Sequence, residues 1–302
     1  LNMQLEEGKA LGFVGETGAG KTTTALAILQ LIQSPPGEIT SGEIWFKGQN
    51  VREMTEAELR NMRGREIAMI FQDPMTSLNP IITVEEQIME MISLHSDLKG
   101  SEIRERALEM MRLVGIRPER AKDYPHQFSG GMRQRVGIAI ALACKPSLLI
   151  ADEPTTALDV TIQAQVLELI KELQKQVKTS MLLITHDLGI VAETCDSVAI
   201  MYAGRLVEYA DIQHLYGNPL HPYTQGLFDA VPDLESPIGE KLAVIQGLPP
   251  DPTNLPRGCS FSPRCPYAQA ECLEKPCGMR EIEPGHFIDC YFPHQYEGGS
   301  RA

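Results

Sequence analysis

Short runs of apolar and β-branched residues alternate along this chain with longer stretches in which apolar positions recur every three or four residues. The short runs lie at 10–14, 67–71, 148–151, 181–184 and 198–202. Each is of strand length and opens or closes at a polar or glycine-bearing segment. The longer amphipathic stretches at 22–31, 133–142 and 161–174 have helical periodicity. Strands alternating with helices predict an α/β fold with a mainly parallel sheet.

Between 83 and 114 the pattern changes. Two long amphipathic runs, 84–94 and 102–114, flank a polar stretch around Asp97, Leu98, Lys99 and Gly100, and no strand-like run separates them. This predicts a helical insertion beside the sheet. From Gly217 onward Pro, Gly and Cys accumulate and periodicity fades, which marks a boundary near Asn218 and Pro219. The expected organisation is a main domain over 1–217, with a helical subdomain at about 83–145, and a small loop-rich extension over 218–302.

Composition narrows the function classes. A chain of 302 residues with 43% hydrophobic and 22% charged content can bury a large core. A net charge of -13 argues against a broad nucleic-acid footprint. The longest apolar stretch, 136–144, is too short to cross a bilayer, and no secretory leader pattern stands near Leu1. A cytosolic location is the expectation, so a membrane role has to come from partners.

The segment Gly15-Glu16-Thr17-Gly18-Ala19-Gly20-Lys21-Thr22 fits the pattern G-x-x-x-x-G-K-[ST], after a predicted strand and before a predicted helix. Its small residues let backbone N–H groups close around phosphates, the helix N-terminus supplies positive potential, Lys21 reaches the β/γ oxygens and Thr22 can ligate Mg²⁺. A second carboxyl sheet edge is expected where 148–151 runs into Asp152 and Glu153. Asp152 is placed to hold Mg²⁺ through water, and Glu153 to act as the general base on the attacking water. Ser129, Gly130 and Gly131 open another predicted helix, ending at Leu142, and so make a second anion site.

Taken together, these motifs resemble those of the ATP-binding subunits of ABC importers of the dipeptide/oligopeptide and nickel family. The run Phe128-Ser129-Gly130-Gly131-Met132-Arg133-Gln134-Arg135 resembles the signature motif, Gln72 in Ile70-Phe71-Gln72-Asp73-Pro74-Met75-Thr76-Ser77-Leu78-Asn79-Pro80 the glutamine loop, and Thr156-Ala157-Leu158-Asp159 the aspartate loop. His186 in Ile184-Thr185-His186-Asp187 matches the switch histidine. The resemblance implies a P-loop ABC ATPase fold with an antiparallel β edge region. It also implies that Gln72 senses Mg²⁺ or the attacking water, that His186 contacts the γ-phosphate, and that Thr23 and Asp159 join the nucleotide-binding set. ATP would lie between the P-loop of one subunit and the signature of a second, so hydrolysis needs a dimer. Met132 stands where the general signature has Gln, as in peptide importers, and Phe128 where Leu is usual. Family members also carry an aromatic residue upstream of the P-loop that stacks on adenine. Here the residues before Gly15 include neither Trp nor Tyr, and Phe13 lies inside a predicted strand; adenine stacking, worth about 0.5–1.5 kcal/mol, is not expected from them, as in a chain truncated at its start.

Five of the seven cysteines, Cys259, Cys265, Cys272, Cys277 and Cys290, crowd into the extension, whereas Cys144 and Cys195 fall in apolar segments. His221-Pro222-Tyr223-Thr224 resembles the motif that opens the peptide-importer extension, and the resemblance implies a [4Fe-4S] cluster on Cys259, Cys265, Cys272 and Cys290, with Cys277 outside the ligand set. The residues themselves also admit zinc, although C-x2-4-C spacing is missing, and disulfides, which a reducing compartment disfavours. The expected protein is a peripheral ATPase on the cytoplasmic face of the cell membrane. It would work with two transmembrane permease subunits, a second ABC ATPase that is a copy or a homologue, and indirectly an extracytoplasmic binding protein. Nickel import is the alternative within the family. A soluble ABC ATPase acting on nucleic acid or ribosomes is the alternative of another class.

Overall fold

A computed structural model describes residues 1–73, 77–156, 158–231 and 243–295. Ten strands occur among them: β1 (Ala10–Val14), β2 (Trp45–Phe46), β3 (Gln49–Asn50), β4 (Ile67–Ile70), β5 (Leu148–Asp152), β6 (Ser180–Thr185), β7 (Ser197–Tyr202), β8 (Arg205–Asp211), β9 (Arg280–Glu283) and β10 (His286–Ile288). The chain forms two compact units. The first comprises Leu1–Gln4, Ala10–Lys21 and Thr185–Ala302, the second Leu5–Lys9 and Thr22–Ile184.

In the second unit β4, β5 and β6 run parallel, with Ile70 opposite Ala151 and Asp152 opposite Ile184. Buried parallel strands read as continuous apolar runs because both faces are covered, and Leu149, Ile150, Met181, Leu182 and Leu183 are all fully or nearly fully buried. Where the two amphipathic runs lie, the chain forms helices Val84–His95 and Ser101–Leu113. Thr83 and Glu86 form a reciprocal capping box at the start of the first, which turns Val84, Ile88 and Ile92 inward. A 2.6 Å ion pair between Arg104 and Glu85 ties the two helices together. The helix predicted at 161–174 spans Val160–Val177, capped by Asp159, and buries Val166, Leu169, Ile170 and Leu173 along one stripe. β2 and β3 form a short antiparallel pair, as the expected β edge region requires.

In the first unit the strand order is β1, β7, β8, β10, β9, with β1 and β7 parallel and the later pairs antiparallel. β7 turns into β8 through Ala203 and Gly204, with φ of 45° and 80°. Two successive left-handed residues make the tight hairpin turn whose twist matches the flanking strands. The extension is bound to this sheet. Its β10 pairs with β8, and Tyr223, Phe228 and Phe261 join Val14, Val198, Ile200 and Tyr202 in one core. The rings of Tyr202, Tyr223 and Phe261 stand 4.6–5.4 Å apart, tilted or edge-on, a geometry that adds about 0.5–1.5 kcal/mol per pair beyond burial.

Candidate functional site

Each unit carries part of the motif set. In the first, β1 delivers the chain into the P-loop, and the β7–β8 turn lies under it. The Gly204 N–H donates to the Ala19 carbonyl at 2.9 Å. A Cβ at Gly15 would stand 2.2 Å from the Met201 carbonyl oxygen, so only glycine lets the loop's first residue pass that backbone. Lys21, 6% exposed, folds its ammonium back onto the loop and donates to the carbonyls of Gly15 (2.6 Å) and Glu16 (3.1 Å). Thr17 and Gly18 face solvent. Thr22 and Thr23, the first residues of the second unit after Lys21, are exposed in the first turn of helix Lys21–Ile28, the turn whose N–H groups favour an anion. Phe13 is fully buried in β1 and has no face to offer adenine. His186 is exposed just after β6, ahead of helix Leu188–Thr194, which Asp187 caps through the Ile190 N–H at 3.2 Å.

The second unit joins two of the predicted residues directly. Gln72, two residues beyond β4, donates through Nε2 to Oε2 of Glu153 at 3.0 Å, and Thr156 Oγ1 donates to the same oxygen at 2.8 Å. Asp152 ends β5 and is 2% exposed. Glu153 has a φ of 44°, a left-handed conformation that costs a non-glycine residue roughly 1–2 kcal/mol. The Glu153 N–H donates to the Ile184 carbonyl, and the Glu153 carbonyl accepts from Thr156. Backbone strain held in place by surrounding bonds is a mark of a functional position. Pro74, Met75 and Thr76 of the glutamine loop and Ala157 of the aspartate loop lie outside the described residues.

Helix Gly130–Leu142 starts two residues before Met132, with Ser129 as its N-cap and the Ser129 hydroxyl accepting from the Met132 N–H at 3.4 Å. Ser129 and Gly130 are exposed at this first turn. Gly131 has a further cause: a Cβ there would meet Ile162 at 2.5 Å, so glycine brings this helix against Val160–Val177. The two departures from the general signature are packing choices. Phe128 is buried under the Arg120 guanidinium, 4.2 Å from its ring centre, and Arg120 also donates to the Met132 sulfur at 3.3 Å. Asp159, exposed, caps its own helix through the Ile162 N–H at 3.0 Å.

Beside Gln72 the second unit opens a groove of about 300 Å³, lined by Leu29, Arg63, Met69, Phe71, Met91 and Gln134 among others. Phe71 is 45% exposed, and Gln134 Nε2 is buried with no hydrogen-bond partner among the described residues. The groove leaves no local sequence pattern because its residues come from five separate segments.

In the first unit the extension builds a small cavity of about 20 Å³ on which Cys259, Cys265, Cys272, Cys277 and Cys290 all border. The fifth thiol, set outside the expected ligand set, therefore lies on the same wall. Gly258 makes this possible, because a Cβ there would stand 2.1 Å from the Cys272 carbonyl oxygen, to which the Cys259 N–H donates at 2.8 Å. Burial pushes the Cys259, Cys265 and Cys277 thiols up, and burial together with the neighbouring thiols pushes Cys290 up to about 12. No group of three or more His, Cys, Asp or Glu among the described residues is gathered tightly enough to hold a single metal ion.

The His-Pro-Tyr motif is explained by Glu208 in β8. This fully buried carboxylate accepts from the N–H groups of Leu220 (2.7 Å) and His221 (3.0 Å), and its Oε1 lies 2.7 Å from His286 Nε2. One buried charge thus pins the motif and β10 to the sheet. Burial lowers the His221 pKa to about 4, so its imidazole is neutral and Nδ1 caps the next helix by accepting from the Tyr223 N–H at 3.0 Å. Pro222 starts that helix, and the Tyr223 hydroxyl accepts from the Glu16 N–H at 3.0 Å.

Two segments of the chain match known families. Residues 1–156 match the ABC transporter family model, and residues 207–272 match the C-terminal region of oligopeptide/dipeptide transporters. The chain is 50% identical to the oligopeptide transport ATP-binding protein OppD of Bacillus subtilis, over 97% of this chain and 83% of the relative. It is 46% identical to the dipeptide transport ATP-binding protein DppD of Escherichia coli, over 97% and 90%. Among solved structures, the dimeric post-hydrolysis state of the ATP-binding cassette MJ0796 bound to ADP and Pi is similar over 70% of this chain and 89% of that one, with a TM-score of 0.63 and 28% identity. By these matches the chain belongs to the ABC transporter ATPase family, in the branch that carries the oligopeptide/dipeptide transporter C-terminal region.

Proposed function

We propose that this protein is the energy-coupling ATPase of an importer of di- or oligopeptides, hydrolysing ATP at a dimer interface to drive permease subunits it does not itself contain. The observation that carries this reading is the bond from Gln72 to Glu153. Gln72, which directly follows the groove-lining Phe71, is joined to the carboxylate assigned as the hydrolytic base, so an event at the groove can move the group that activates water. We assign the groove to an apolar segment of a permease subunit that offers an acceptor to Gln134. No helix among the described residues is long and apolar enough to cross a membrane, which suits a peripheral subunit at the cytoplasmic face.

For hydrolysis we assign each residue the role that the family resemblance implies: the P-loop N–H groups and Lys21 would hold the phosphates, Thr22 and Asp152 would hold Mg²⁺, whose charge would offset that of the phosphates, Glu153 would take the proton from the attacking water, and Gln72 and His186 would orient water and γ-phosphate. Ser129 and the N–H groups of Gly130 and Gly131 serve a partner's ATP, an arrangement consistent with the dimeric cassette that the fold resembles. Reconstitution with permeases and binding protein tests the substrate. Oligopeptides are expected to stimulate ATP hydrolysis severalfold. Stimulation by Ni²⁺ alone would favour the nickel reading, and stimulation only by nucleic acid would sink the importer assignment.

For the extension we propose a [4Fe-4S] cluster on Cys259, Cys265, Cys272 and Cys290. Soft thiols from separate segments border one cavity, and thiolates are the ligands that iron–sulfur clusters take. The cluster would cross-link the extension. Anaerobically purified protein is expected to be brown, with absorbance near about 400 nm and acid-labile sulfide; colourless protein with one bound zinc would overturn the assignment.

A further inference from the structure

Glu16 is an unexpected residue to find inside a phosphate-binding loop. Its carboxylate repels the anion the loop exists to hold, unless the charge is neutralised and kept turned away. Both conditions are met by residues of the extension, more than 200 positions away. Arg264 grips the carboxylate with both arms, Nη1 to Oε2 at 2.8 Å and Nη2 to Oε1 at 3.1 Å, and the Arg264 side chain is only 5% exposed against 26% for Glu16. The guanidinium is itself anchored, donating to the Tyr202 hydroxyl (3.2 Å) and to the carbonyls of Ile245 (3.3 Å) and Gln246 (3.0 Å). The Glu16 N–H is committed to the Tyr223 hydroxyl. Backbone and side chain of one P-loop residue are thus both held by the extension.

We propose that Arg264 and Tyr223 are positioning residues for ATP binding, acting through Glu16 to neutralise its charge and fix the backbone entry of the P-loop. A planar fork matched to a carboxylate suits this task better than a single ammonium would. Arg264 directly precedes Cys265, so the segment that walls the thiol cavity is also the one that steadies the nucleotide loop. The extension is therefore a working part of the ATP site. This inference rests on the reading of the P-loop as the ATP site.

The test uses the full-length ATPase assembled with its permeases. Arg264→Ala is expected to raise the KM for ATP about tenfold with kcat changed less than about twofold, because ground-state anion binding is lost without touching the chemistry. The defect should shrink as salt is raised, since it comes from a like charge left uncompensated and partly open to solvent. Arg264→Lys, which keeps the charge and loses the fork, should raise KM by about threefold. The double variant E16Q/R264A should recover most of the loss, and Tyr223→Phe, which keeps the ring, should raise KM by about twofold. An unchanged KM in R264A would overturn the proposal, as would a defect that neither salt nor E16Q relieves, which marks a merely structural arginine. If the native protein bound no ATP, the ATPase reading itself would fall.

Discussion

Glu153→Gln is expected to bind ATP with near-native affinity and to turn it over about 10²- to 10⁴-fold more slowly, the range that a lost general base covers. Gln is the same size, and its carbonyl oxygen can still accept from Gln72 Nε2 and Thr156 Oγ1, the two donors that now meet on Oε2. The left-handed backbone at 44° is held by main-chain bonds that the substitution does not touch. What disappears is the ability to accept a proton. With binding kept and hydrolysis blocked, ATP should hold two ATPase subunits together, visible as a nucleotide-dependent dimer on size exclusion. Turnover within tenfold of the native rate would remove Glu153 from the base role.

Lys21→Ala is expected to weaken ATP binding by about 100-fold, since hydrogen bonds to a charged group contribute about 1.5–3 kcal/mol each. The loss has two sources. The ammonium that would meet the β/γ oxygens is gone, and the carbonyls of Gly15 and Glu16, which now receive it, lose that donor. The second source acts before nucleotide arrives, so the loop itself should become more mobile. Titration with a fluorescent nucleotide measures the affinity, and a change of less than threefold would be incompatible with the phosphate role.

The five sequence-predicted strands reappear as β1, β4, β5, β6 and β7 with ends shifted by a residue at most. They were legible because strands buried on both faces read as nearly continuous apolar runs. β8 escaped detection for a specific reason: Glu208 stands in its middle, where a charge contradicts a buried strand. Only its three partners, Leu220, His221 and His286, make that burial tolerable. The short strands β9 and β10 offered too few residues for any period to show. Gln72 was found by motif, but its bond to Glu153 was not, because 81 residues separate them.

The amino-acid sequence by itself determined the class of this protein: a P-loop, a carboxyl-edge acid pair, a signature helix and a cysteine-bearing extension are local patterns, each set by the chemistry of a few adjacent residues. The tertiary structure alone decided which distant groups meet. It placed a strained Glu153 under Gln72, put a fifth thiol on the cavity wall, and joined Glu16 to Tyr223 and Arg264 across 207 and 248 positions. Such contacts leave no periodic trace, since ion pairing and close packing depend on distance in space and are indifferent to order along the chain.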